Sequence, residues 1–254
     1  MKKSVLTLTT LVCGSLLVGG TLPVLAADND ATTTGVVTFE AGDDEDTGKP
    51  VDPGENGGGG GGTTEPGGNN SKGALRIQDV TNFDFGTQKI AATDKTYDAK
   101  VVKFTPEDTT KAPYFMANYL QVADLSGLHE GWKVKVSASD FVLDGKTDVL
   151  KGAEIRLSGF SEGMATGDGV STNLPTNDTG KAYKAITKTP NTVYSADATK
   201  GSGLHTLVFG DKAVADADAN TTHTGVQLFV PATSQAKVGS YSADLTWTIT
   251  AAPL

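Results

Sequence analysis

Residues 241–253 read YSADLTWTITAAP, and this stretch decides how the rest of the chain is read. Tyr241, Ala243, Leu245, Trp247 and Ile249 alternate with Ser242, Asp244, Thr246, Thr248 and Thr250. A period of two puts the first set on one face and the second on the other, which is the pattern of a strand with one buried face. Threonine and aromatic residues suit a pleated surface, and Pro253 ends the ladder because it has no N–H to donate. A strand patterned this strongly is expected to close a sheet. An earlier stretch repeats the pattern, with Trp132, Val134 and Val136 on one face and Lys133 and Lys135 on the other. The chain has only two tryptophans, Trp132 and Trp247, and each shares a face with aliphatic neighbours. Both are therefore expected to be core residues that cover large apolar areas.

Working outward, strand signals recur from residue 73 onward, at 75–78, 97–104, 114–122, 132–138, 153–160, 192–195, 204–209 and 226–230. Phe83 and Phe85 lie on one face before a turn at Gly86. Gly, Asp and Asn separate the segments, and no long stretch shows a clean helical period; residues 113–125 come nearest. Residues 173–189 read as a long polar loop. Many short strands with turn residues between them indicate an all-β, antiparallel sandwich or barrel-like domain.

Ahead of that domain lie segments of a different kind. Lys2 and Lys3, an apolar run over 5–18 and small residues ending at Ala26 read as a secretory leader, 1–26, cut after Ala26. Residues 27–40 hold a short strand-like island, GVVTFE at 35–40. Residues 41–72 are rich in Gly, Pro and acids, with glycine unbroken from 57 to 62, and are expected to form a disordered tether before the β domain, 73–254. The formal charge of −9 belongs mostly to this region, where residues 28–66 carry ten acids against Lys49 alone. The folded part is nearly neutral, which argues against nucleic acid as a partner. Cys13, the only cysteine, lies in the leader, so the exported chain is expected to have no disulfide or thiolate site.

Residues for catalysis are sparse. His129, His205 and His223 are scattered without partners at metal or triad spacing. The run from Asp216 through Asp218 to Asn220 resembles the start of a calcium loop but has Thr221 in place of the required glycine and Gln227 in place of the closing glutamate. No enzyme activity, cofactor or metal is expected.

The chain resembles the WxL-domain surface proteins of Gram-positive bacteria, specifically the small ones. The carriers are Gly131-Trp132-Lys133-Val134, the closing stretch from Tyr241 through Trp247 and Ile249 to Pro253, and Phe83-Asp84-Phe85-Gly86. The leader, the Val37-Thr38-Phe39 island and the acidic linker are similar in layout as well. Val134 and Ile249 stand where the family's name implies leucine, a swap that keeps the face apolar. The resemblance implies a secreted, extracellular, cell-wall-associated protein that binds peptidoglycan without a covalent link. It also implies an alternative, a subunit of a surface complex that docks onto a membrane-anchored partner protein. In either case Trp132, Val134, Tyr241, Leu245, Trp247 and Ile249 are expected to be structural motif residues. Tyr114, Phe115 and Tyr119 are candidates for a ligand-facing surface.

Overall fold

A computed structural model of the chain describes residues 35–42, 50–53, 61–65, 68, 70–165, 172–212, 214 and 216–252. The expected leader lies outside the described residues. In chain order the strands are β1 (Gly62–Glu65), β2 (Leu75–Val80), β3 (Lys95–Lys100), β4 (Val102–Pro106), β5 (Tyr114–Met116), β6 (Tyr119–Asp124), β7 (Trp132–Ala138), β8 (Val142–Leu143) and β9 (Glu154–Leu157). They continue as β10 (Phe160–Ala165), β11 (Thr172–Asn173), β12 (Lys184–Ile186), β13 (Asn191–Ala196), β14 (Gly203–Phe209), β15 (Thr222–Val230), β16 (Tyr241–Ser242) and β17 (Leu245–Ala251). The fold is all-β, and every ladder between these strands is antiparallel. Residues 113–125 are strands β5 and β6, not a helix, and part of the expected loop at 173–189 is β12.

Three four-stranded sheets, β10-β14-β6-β2, β11-β13-β7-β17 and β12-β9-β15-β3, contribute to one apolar core. The alternation in β7 shows why. Trp132, Val134 and Val136 are fully buried while Lys133 and Lys135 are exposed, and β7 is hydrogen-bonded on both sides, to β13 and β17. A buried indole needs an acceptor for its N–H. Trp132 Nε1 donates to the Gly201 carbonyl at 2.9 Å, and the ring meets Tyr194 edge-on with centroids 5.0 Å apart. Gly201 has φ +75°, and a Cβ there would lie 2.3 Å from the Ala196 Cβ and 2.5 Å from Trp132 Nε1. Glycine is the residue that position allows.

Strand β6 is buried on both faces. Leu120 and Val122 join the main core; Tyr119 packs with Val102, Phe104 and Met116, and Ala123 with Val51. The cover on this second face is the small sheet β1-β4-β5 together with Val51. Val51 donates its N–H to Gln121 Oε1 at 3.2 Å, and Gln121 Nε2 donates back to the Val51 carbonyl. The expected tether is thus not wholly free of the body, because Val51 is buried and β1 pairs with β4 in register. By contrast, residues 35–40 carry no ladder, and Val36, Val37 and Phe39 stay exposed.

The closing stretch also departs from one unbroken strand. Tyr241–Ser242 pairs with β8, whereas Leu245–Ala251 pairs with β7. The break falls at Asp244, whose N–H bonds the Ser139 hydroxyl and whose carbonyl takes the Ser139 N–H, both at 2.9 Å. A side chain there stands in for one ladder bond, and the strand turns from one neighbour to the other. β17 is an edge strand of its sheet.

Two outcomes follow from this packing. Trp132→Ala leaves a large cavity, so denaturant titration is expected to show a loss of about 3–5 kcal/mol. The second concerns Asp79, buried beneath β1, which accepts the Tyr119 hydroxyl at 2.5 Å. Burial raises its carboxyl from 3.8 to about 6, with the Tyr119 hydrogen bond opposing the rise in part. The same burial, with the Asp79 charge, pushes the Tyr119 phenol up. A folded-state value above the unfolded one means that the stabilisation is complete below the unfolded value and is lost as pH rises through the folded value. Between pH 4 and 7 the wild type is expected to lose about 2 kcal/mol relative to Asp79→Asn, read from urea midpoints across that range.

Candidate functional site

Trp247 is where the two tryptophans part ways. Trp132 has no exposure, but Trp247 is only partly buried. Being at a sheet edge, it rests its inner side on Phe209, with ring centroids 6.4 Å apart and planes at 33°. Its other side borders a cleft of about 1010 Å³. Trp247 thus packs against the core, as its face predicts, but less completely than Trp132 does. Period two assigns a residue to a face, but it does not say whether the next strand position on that face is filled.

The cleft is built from three parts. One stretch is residues 239–247, taking in β16, the break at Asp244 and the start of β17. Another is the irregular arm 82–91, which carries Phe83 and Phe85. The third includes Phe141 and the end of β15 with the 3₁₀ turn that follows it, Ala232–Ser234. Phe85 and Phe141 meet edge-on at 6.5 Å, and Phe83 meets Phe209 at 6.0 Å. These rings fix the base of the arm to the core. Further along, Ile90 on the rim is 58 % exposed.

The rim is polar and carries both signs of charge. Lys237 Nζ bonds Asp148 Oδ1 at 2.5 Å, and that bond holds the ammonium above its ordinary value. Tyr241 accepts the Lys237 backbone N–H at 3.0 Å, and Tyr97 donates its hydroxyl to the Lys89 carbonyl at 3.4 Å. Among the described residues, Lys89 and Lys95 make no ion pair. Aromatic faces below a mixed polar rim suit a ligand that is apolar on its flat sides and hydroxylated or amidated at its edges. No histidine lines the cleft.

The other sequence-derived residues are dispersed. Tyr241, Leu245 and Trp247 meet at the cleft, and Ile249 continues their inward face toward the core. Val134 is buried with Trp132. Tyr119 is completely buried under β1, so it does not line an outer surface. The burial of both faces of β6 removes it, and alternation alone could not reveal that. Tyr114 and Phe115 are partly buried on β5. Tyr114 donates to Asp52, and Phe115 borders a separate hollow of about 260 Å³ with Lys103 and Glu65. Phe85, Phe141 and Tyr97 were not among the candidates. The signals for Phe85 were its alternation with Phe83 just before Gly86 and its place in the Phe83-Asp84-Phe85-Gly86 run that carries the family resemblance.

The calcium-like run closes as a local turn. Asp218 Oδ1 accepts the Asn220 N–H at 2.8 Å and the Thr221 hydroxyl at 3.1 Å, and these bonds hold its carboxyl below the usual range. Among the described residues, no group of three or more His, Cys, Asp or Glu side chains stands ready to hold a metal ion. Among them, no helix is long and apolar enough to cross a membrane.

Residues 26–253 match the family described as WxL domain surface cell wall-binding. The match covers the segments before residue 73 as well as the β domain. No curated protein and no solved structure matches the chain.

The unlike settings of the two indoles are measurable. In a Trp247→Phe variant the remaining Trp132 is expected to resist acrylamide quenching. In Trp132→Phe, Trp247 is expected to quench with a several-fold larger Stern–Volmer constant. Equal constants would remove the distinction.

Proposed function

Because the chain belongs to the WxL family of surface cell wall-binding domains, we propose that it holds to the wall without a covalent link by taking peptidoglycan into the cleft beside Trp247. On this reading the leader, 1–26, exports the chain and is removed, and the chain stays outside the cell, associated with the wall. The observation that carries the choice of site is the partly buried Trp247, which lines a cleft of about 1010 Å³ together with Phe85 and Phe141. Peptidoglycan offers both parts of the required chemistry. Its sugar rings have apolar faces that stack on aromatic rings, and its acetamido and peptide groups bond to a polar rim. Binding of this kind needs no catalytic group.

A second reading, docking onto a membrane-anchored surface protein, has its own support. The outer face of the β7-β17 pair is an exposed, polar patch in which Lys133 and Lys135 oppose Thr250 and Thr248. Polar sheet faces suit protein docking better than capture of a sugar chain.

Sedimentation with isolated peptidoglycan separates the two. The wild-type chain is expected to pellet with the polymer. Phe85→Ala combined with Trp247→Ala should weaken that binding at least about tenfold, as removal of central aromatic anchors does. The paired Lys133→Glu and Lys135→Glu change should leave it intact. Wild-type binding no greater than that of an unrelated protein of equal charge would remove the proposal. Loss with the lysine pair alone, together with crosslinking of a single protein on intact cells, would favour the second reading.

A further inference from the structure

The face of β6 turned away from the main core is closed by a strap, residues 50–53 and 61–65. Its two parts bridge each other at Val51 and Gly61, and the Gly62 N–H meets the Pro50 carbonyl at 2.8 Å. The layer beneath it is polar. Gln121 is fully buried there, with Thr206 of β14 and Asp79 of β2 opposite it on the neighbouring strands, and Arg76 lies on the same face opposite Ala123. Apolar anchorage is slight, with Val51 resting on Ala123 and Leu204. Gln121 instead holds the strap by the Val51 backbone, through both halves of its carboxamide. Pro53 and Thr206 both press on Gly163, and the Thr206 hydroxyl is buried without a hydrogen-bond partner. A cover over polar groups, one of them unmet, is held less firmly than a cover over an apolar layer of the same area.

Asp79 sits where the strap meets the sheet. Its Oδ2 accepts the Tyr119 hydroxyl at 2.5 Å, and Gly68, just past β1, lies so close that an added Cβ would be 1.6 Å from its Oδ1. Thr64 of β1 bonds the same phenol and accepts the Gly68 N–H at 3.1 Å, so one hydrogen-bonded chain joins β2, β6 and the strap. The charged groups around it are committed elsewhere. Asp52 of the strap takes the Tyr114 hydroxyl from β5, and its charge acts on Tyr119. Glu65 of β1 is paired with Lys103 of β4. Arg76, on the same strand as Asp79, bonds Gln78 and the Gly73 carbonyl. Among the described residues Asp79 makes no ion pair. Once ionised, its carboxylate has the phenol and the Val80 backbone to set against burial, and water reaches it when the strap lifts.

We propose that the strap is a releasable cover with Asp79 as its latch, closed over β6 in acid surroundings and lifting as they turn neutral, while the core around β7 stays folded. The sign follows from the form that closure disfavours. Burial raises the Asp79 carboxyl from 3.8 to about 6, so closure is at full strength below the lower value and weakens as pH rises through the upper one. Lifting uncovers the row Thr206, Gln121 and Asp79 across three strands, with a carboxamide free to take another peptide backbone. No strap residue lines the Trp247 cleft, so the inference goes beyond the wall reading and does not rest on it.

Amide hydrogen exchange on the ¹⁵N-labelled full-length chain tests it, with each rate corrected for its intrinsic dependence on pH. The strap is read at Val51, whose N–H bonds Gln121, and at Gly62, whose N–H bonds the Pro50 carbonyl. The core is read at the amides of β7. Between pH 5 and 7.5 the protection of Val51 and Gly62 is expected to fall about tenfold while that of β7 holds. In Asp79→Asn, strap protection is expected to stay level over the same range. An equal fall at β7 would mean that the whole domain loosens and would overturn the proposal, as would level protection of the wild-type strap. A fall that persists in Asp79→Asn would overturn the assignment of the latch. The contrast between strap and β7 in the wild type decides the matter even where the variant does not fold.

Discussion

The structure depends on covering the inner face of β7. Trp132, Val134 and Val136 are fully buried, and the indole N–H must find an acceptor inside the protein. It finds the Gly201 carbonyl, which fixes the turn before β14 against β13 and leaves room there only for glycine. β7 then holds β13 on one side and β17 on the other. The position of Trp247, opposite Val136, follows from that register. Loosening Trp132 would therefore be felt at the cleft even though its own ring never reaches it.

The cleft is bordered by an edge strand and by a segment outside the sheets. β17 ends its sheet, and the arm 82–91 passes nearby without joining any ladder. Aromatic rings span the gap at its base, where Phe85 meets Phe141, and leave it open above. A family described as surface cell wall-binding needs an outward-facing surface that does not disturb the core. An edge strand meets that need, because its inner residues belong to the packing while one side of Trp247 borders the cleft.

Much of this could be read from the residues. The alternation in 132–138 gave β7 with its ends and its buried face, and the short patterned runs gave an all-β antiparallel domain. What could not be read depends on contacts distant in sequence. Nothing in YSADLTWTITAAP shows that Ser139 will interrupt its ladder at Asp244. Nothing in the glycine- and acid-rich stretch shows that Val51 will find Gln121, 70 residues away. Tyr119 looked like a surface aromatic because β6 alternates weakly, and it alternates weakly because both of its faces are covered. Trp247 has the same local pattern as Trp132, and only the sheet order distinguishes an edge from a centre.

The central claim is that one indole supports the fold while the other meets the ligand. With two tryptophans in the chain, a ¹⁵N-labelled sample has two indole N–H cross-peaks, assignable from the single phenylalanine variants. During titration with soluble peptidoglycan fragments, the Trp247 cross-peak should shift in a saturable way while that of Trp132 stays in place. Saturable shifts elsewhere on the protein with Trp247 unmoved would contradict the account.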